Sequence, residues 1–147
     1  MNKGVVVCGP DVAYGPLALL SGTFEEKLDK AARLGYDGIE LMVRDPAGLD
    51  WEAVKNLLQE NNLEVPQIVT GELFGADGLC LVTTDEALSQ RTDRRLRSIV
   101  DLAEYLGAMV NIGRVRGRLE QFSERQAGWD GGAHPRGNAV PGTASDG

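Results

Sequence analysis

LDKAARLGYDGIEL (residues 28–41) and IVDLAEYLGAMVNI (residues 99–112) are two copies of one pattern: an amphipathic helix, then Leu-Gly, then a hydrophobic strand. At an offset of 72 positions Asp29 falls on Asp101, Ala31 on Ala103, Leu34 on Leu106 and Gly35 on Gly107. A helix that ends on a fixed Gly and runs straight into an apolar strand is the unit of a βα array with a parallel sheet.

Reading outward, the same unit recurs. Val5–Cys8 is a short apolar, β-branched run that suits a strand buried on both faces. Thr23 is placed to cap a first helix, with Glu25 and Glu26 in its first turn and Leu28, Ala31, Ala32 and Leu34 on its apolar face. Gly35 stops it in the left-handed conformation, and Gly38–Val43 is the second strand. Asp50 caps a second helix with Trp51, Val54, Leu57 and Leu58 inward, and Asn61-Asn62 ends it. Val65–Val69 is the third strand, with Pro66 near its start.

Residues 71–82 read as a long Gly-rich connection, and Thr83 with Glu86 as a capping box. The helix that follows reaches Leu106, with Leu96, Ile99, Val100 and Ala103 inward. Its Arg91, Arg94, Arg95 and Arg97 read as a solvated face. Met109–Gly113 is the fourth strand, and Leu119–Glu124 opens a fourth repeat helix.

The repetition stops there. Residues 126–147 hold no Leu, Ile, Phe, Met or Lys but six Gly and four Ala, a composition that cannot offset chain entropy by burial. The expectation is one ordered domain over 1–124 and a disordered Gly/Ala-rich tail over 125–147, the product of a truncation or a shifted reading frame. The single histidine, His134, is expected to be solvated in that tail.

Bulk composition narrows the partners. Of 147 residues, 15 are Lys or Arg and 22 are Asp or Glu, and the whole net charge of -7 lies in residues 1–124. An acidic chain is a poor match for a nucleic-acid backbone. No apolar run approaches the roughly 18 residues of a membrane span. Two cysteines, Cys8 and Cys80, make no disulfide framework and no CxxC site. A cytoplasmic protein with no membrane partner is expected.

Two architectures accommodate four βα units. An open doubly wound sheet usually carries a phosphate-cradling glycine loop after its first strand. Here that turn reads Cys8-Gly9-Pro10-Asp11-Val12, with no GxGxxG and no P-loop lysine. The alternative is the first half of a (β/α)8 TIM barrel, whose eight strands need about 250 residues. Strands starting near 5, 38, 65 and 109 have the spacing of that barrel's repeats.

GIELMVRDPAGLDWEAVK (38–55), ADGLCLVTTDEA (76–87) and NIGRVRGR (111–118) together resemble the sugar phosphate isomerase/epimerase family of xylose isomerase-like barrels. The likeness is to bacterial epimerases of keto-sugars and keto-sugar acids and spans about residues 4–120. It implies a full barrel holding a divalent metal, Mn²⁺ or Mg²⁺, that grips two adjacent sugar oxygens. Paired glutamates then move a proton through an enediolate. In that family the metal ligands and catalytic glutamates lie on the last four strands, which have no counterpart here. No catalytic residue and no metal ligand carries over, and no metal is expected to bind this chain alone.

What the resemblance leaves for this chain is substrate contact at the C-terminal ends of the strands. Cys8 ends the first strand and reads foremost as a small buried hydrophobe. Glu40 lies within the second strand and either accepts sugar hydroxyls or pairs with an arginine. Thr70 and Gly71 end the third, as a substrate contact or an ordinary turn. Arg114 follows the fourth and suits a substrate carboxylate or phosphate, or pairs with Glu40 or Glu72. Arg44 is expected to pair with Asp45 or the next helix. Any metal site built from Glu40, Glu72 and Asp11 would be all oxygen, since residues 1–124 hold no histidine. The leading reading is therefore part of a sugar epimerase, inactive alone. The rival is a half-barrel assembly module whose unpaired strand edges recruit another chain or a second copy.

Overall fold

The computed structural model describes residues 2–15 and 17–118. The expected fourth helix, the tail and His134 lie outside the described residues. Four strands form one sheet: β1 (Gly4–Cys8), β2 (Gly38–Met42), β3 (Glu64–Val69) and β4 (Met109–Asn111). Every pairing is parallel and the spatial order is β1-β2-β3-β4. That order decides between the two architectures. A doubly wound sheet reverses direction at a switch point and places β1 inside the sheet. A barrel lays its strands down in sequence, as here.

The connections hold α1 (Phe24–Arg33), α2 (Trp51–Glu60), a short α3 (Gly71–Gly75) and α4 (Glu86–Leu106). The caps follow local chemistry. Thr23 and Glu26 complete a capping box on α1, and Asp50 accepts from Ala53 N on α2. Gly35 and Gly107 take φ of +78° and +70° after α1 and α4, and Asn62 takes +53° after α2. The start of α4 differs from expectation. Asp85 is its cap, accepting from Leu88 N, while Thr83 Oγ1 accepts from Asp85 N. A carboxylate two residues on displaced the hydroxyl and shifted the helix start. The expected loop 71–82 likewise winds α3 at its beginning, burying Leu73.

Strand residues alternate between two faces. Val7, Ile39, Leu41 and Ile68 point to one side and are fully buried with Leu28, Ala31, Val54, Leu58, Ile99 and Leu102 of the helices. Each such side chain contributes about 2 kcal/mol of apolar burial. Two expected inward residues are not there: Leu34 is 66% exposed and Val100 is 53% exposed. Helix α1 instead turns Phe24, Lys27, Leu28 and Ala31 inward, and α4 turns Thr92, Ile99, Leu102 and Ala103. Adjacent stripes of equal period compete on such helices, and packing against the sheet selects one. Trp51 of α2 tilts against Tyr105 of α4 at 5.7 Å between ring centroids.

Pro66 is the third residue of β3, one further in than in the expected strand Val65–Val69. The β2–β3 register slips between Gly38 and Glu40, a bulge beside the residue that cannot donate to the ladder. No described helix is long and apolar enough to cross a membrane.

Candidate functional site

The face of the sheet opposite the helices carries the polar strand residues. Val6, Glu40, Gln67 and Met109 share one row across it, and Cys8, Met42, Val69 and Asn111 share the next row toward the C-terminal ends. Cys8 and Met42 pack there with Val12, and this small cluster draws no residue from a helix. At its C-terminal end β1 is buried on both faces, as its apolar run suggested: Val7 is 0% and Cys8 2% exposed, while Val5 and Val6 are half-buried. Burial on this face is greatest at Cys8 and Met42 and fades toward β4, where Met109 is 70% exposed.

Glu40 is half-buried on this face, between Val6 and Gln67. It makes no ion pair with Arg114 among the described residues. Asn111 Nδ2 donates to Gln67 Oε1 at 3.4 Å, so three polar side chains line adjacent strands. Thr70 is fully buried. Its hydroxyl donates to Asn111 O at 2.8 Å and accepts from Gly113 N at 3.3 Å, clamping the ends of β3 and β4 together. Gly71 opens α3 with clear space where a side chain would stand.

Arg114 starts a 3-10 turn, Arg114–Arg116, just beyond β4. Its guanidinium sits over the Phe74 ring at 5.4 Å, a cation–π seat. A Cβ at Gly75 would stand 3.6 Å from Glu72 Oε1 and 3.7 Å from the Arg114 guanidinium, so both groups flank the glycine. Phe74, Gly113, Arg114, Arg116 and Arg118 frame a cleft of about 360 Å³. The aromatic seat replaces the expected carboxylate partner and leaves the exposed fork able to take two ligand oxygens.

Around the same end of the sheet, the loops after the strands are laced by charge. Asp11 Oδ2 accepts from Arg44 N at 2.9 Å and from Asp45 N at 2.5 Å. The Arg44 guanidinium grips Asp77 through Nε at 3.0 and 3.1 Å and through Nη2 at 2.6 Å. Arg95 donates to Arg44 O at 2.6 Å and pairs with Asp77 at 3.2 Å and Asp45 at 2.9 Å. Hydrogen bonding from Arg44, reinforced by the charges of Arg44 and Arg95, holds the Asp77 carboxyl below the usual carboxylate range. The VRDP and ADGL segments thus meet physically. Arg44 pairs with Asp77 rather than with Asp45 or a helix, and Arg95 is a tie rather than part of a solvated face.

The oxygen donors do not assemble into a metal site. Asp11 Oδ2 is taken by two backbone amides, Oδ1 is buried without a partner, and a guanidinium stands nearby. Glu72 flanks the Arg114 side. Among the described residues no group of three or more His, Cys, Asp or Glu is placed to hold an ion. Mn²⁺ or Mg²⁺ therefore does not fit the donors present here.

One buried charge was missed by the sequence reading. Lys27 of α1 is 6% exposed, and its Nζ reaches Cys8 O at 3.3 Å. Its signal was its position: 24, 27, 28 and 31 form one helical stripe. Burial pushes the Cys8 thiol above its ordinary range, Lys27 pulls it back, and Glu72 adds to the rise.

Strand order, helices on one face of the sheet and a polar C-terminal rim define the class: consecutive βα units of a (β/α)8 barrel. In sequence and fold the chain is similar to sugar epimerases over part of their length. It is 38% identical over 77 residues to the L-ribulose 3-epimerase of Methylomonas sp. (strain DH-1), covering 52% of this chain and 26% of that protein. Among solved structures, the D-allulose 3-epimerase from Methylomonas sp. in complex with D-allulose matches with a TM-score of 0.53 and 28% identity, over 74% of this chain and 34% of that one. The probable 3-DHS dehydratase AsbF of Bacillus anthracis matches with a TM-score of 0.52 at 18% identity, over 86% and 43%, and shows the fold alone. The chain spans about a quarter to a third of the length of the epimerases it matches. No protein-family model matches the sequence.

Proposed function

We propose that this chain is the substrate-holding part of a metal-dependent sugar epimerase acting on a ketose or keto-sugar acid in the cytoplasm. The observation that carries the reading is the 38% identity to a ketose 3-epimerase, over 77 residues. Support comes from the site. Glu40 offers a half-buried carboxylate to sugar hydroxyls beside Gln67 and Asn111. Arg114 offers its fork to a carboxylate or a pair of hydroxyl oxygens. The open space at Gly71 admits substrate to the backbone, and Thr70 acts by fixing where β3 and β4 end. In the family's chemistry a divalent metal stabilises charge developing on the sugar oxygens. On this reading its ligands and the proton-transferring glutamates belong to other strands, and the 147-residue chain alone does not turn over.

Saturation-transfer NMR of the chain with D-allulose and L-ribulose tests the reading. The expected result is sugar saturation that weakens in Glu40→Gln and in Arg114→Ala. Saturation equal in wild type and both variants would contradict it.

The exposed Met109 (70%) and Ile112 (47%) beside β4 favour a second reading, an assembly module. Among the described residues β1 and β4 each pair on one side only, so each presents an open edge. Light scattering after size exclusion discriminates. A concentration-dependent dimer weakened by Met109→Lys supports it, and a monomer at all concentrations opposes it.

A further inference from the structure

Between the end of β1 and the start of α1 lies a cleft of about 300 Å³, bounded by Cys8, Tyr14, Gly15, Ser21, Gly22 and Lys27 among others. That volume is at the low end for small-molecule sites. Lys27 stands out in it. A lysine is almost never fully buried unless it is paired. Lys27 is 6% exposed and makes no ion pair among the described residues. An ammonium has three donors, and the one acceptor in reach, Cys8 O, lies at a long 3.3 Å. No carboxylate is among the residues bounding the cleft, and the one beside its lip, Glu26 next to Gly22, is engaged by Thr23 N.

The ammonium is also held in place. Lys27 follows the capping box of Thr23 and Glu26, which fixes the first turn of α1. The far lip is pinned by Lys30 Nζ, which donates to Ser21 O at 2.7 Å. The end of α1 itself is capped by Thr23 and Glu26, with Glu25 and Glu26 in its first turn, so the Lys27 ammonium supplies the positive charge of the cleft. Tyr14 and Leu19 on the lip are 78% and 84% exposed, so the cleft opens to solvent.

We infer that Lys27 is the recognition group of an oxyanion subsite, taking the phosphoryl or carboxylate group of a small molecule between the β1–α1 loop and the start of α1. The inference does not rest on the sugar reading, since no residue assigned there other than the sheet itself takes part. The alternative role, a purely structural tie from α1 to Cys8 O, predicts no anion response.

The test titrates the 147-residue chain with inorganic phosphate and, separately, with acetate. Chloride at matched ionic strength is the reference, because phosphate stabilises folded proteins by exclusion alone. The readouts are the Ser21 and Gly22 amide resonances and the Lys27 side-chain ammonium resonance. Saturable shifts in all three are expected, with affinity weakened roughly tenfold or more in Lys27→Met and retained in Lys27→Arg. Saturation by phosphate alone makes the subsite phosphoryl-selective, and saturation by both makes it a general oxyanion site. Non-saturable shifts in wild type, or equal responses in wild type and Lys27→Met, overturn the inference. The wild-type ammonium resonance decides the matter without any variant, should Lys27→Met fail to fold.

Discussion

Replacing Asp77 by Ala removes the centre of the loop network. Its side chain is 14% exposed and receives three hydrogen bonds from Arg44 and one from Arg95. Hydrogen bonds to charged groups contribute about 1.5–3 kcal/mol when a partner is left stranded. Neither arginine is stranded here. Arg44 is 48% exposed and regains water, and Arg95 keeps Asp45 and Arg44 O. Discounting for solvent screening leaves a loss of about 1.5 kcal/mol for Asp77→Ala. With a urea slope of about 2 kcal/mol per M, the midpoint falls by about 0.7 M. Asp93, which pairs with Arg97 on the exposed side of α4, is the control, and its Ala variant leaves the midpoint unmoved. A double-mutant cycle of Asp77→Ala with Arg95→Ala gives a coupling of roughly 1 kcal/mol. If Asp77→Ala is as mild as Asp93→Ala, or the two changes simply add, the network does not hold the loops and the reasoning fails.

The same carboxylate sets a pH dependence. Its folded pKa is depressed below the ordinary 3.8, so its contribution is complete above that value and disappears as pH falls through the lower folded one. The stability gap between wild type and Asp77→Asn is therefore constant near neutrality and closes below about pH 4 in acid titrations followed by circular dichroism. Ile68→Ala, at a fully buried site in β3, costs about 3 kcal/mol in urea unfolding, whereas Val100→Ala costs little because its side chain is 53% exposed. Equal costs would put α4 the other way round. Gly107→Ala, at φ +70°, lowers stability by about 1 kcal/mol in the same assay, by forcing a side chain into the left-handed region.

The repeat and its punctuation made the fold legible. Leu-Gly at 106–107 marked the end of α4 to the residue and at 34–35 that of α1 to within one, and Asp50 and Asn61-Asn62 bracketed the α2 helix, because caps depend on a few neighbouring atoms. Helix orientation was less legible. Leu34 and Val100 obey the apolar period as well as the residues that are buried, and only the sheet chooses between them. Thr83 and Asp85 competed for one cap two residues apart. The site followed the same division. Thr70 and Arg114 follow strand ends and Glu40 lies mid-strand, positions that local sequence reveals. The Arg44–Asp77–Arg95 lacing and the Phe74 seat of Arg114 join residues 18 to 51 positions apart and carry no local signature, whereas the burial of Lys27 had one in its helical stripe.

The proposed function is a division of labour in which these βα units hold sugar and proton transfer belongs elsewhere. Incubating the purified 147-residue chain with D-allulose and Mn²⁺ and separating the sugars by chromatography tests it most directly. The account predicts that only the starting ketose is recovered. Formation of its C3 epimer, in proportion to added protein and lost in Glu40→Gln, would contradict it.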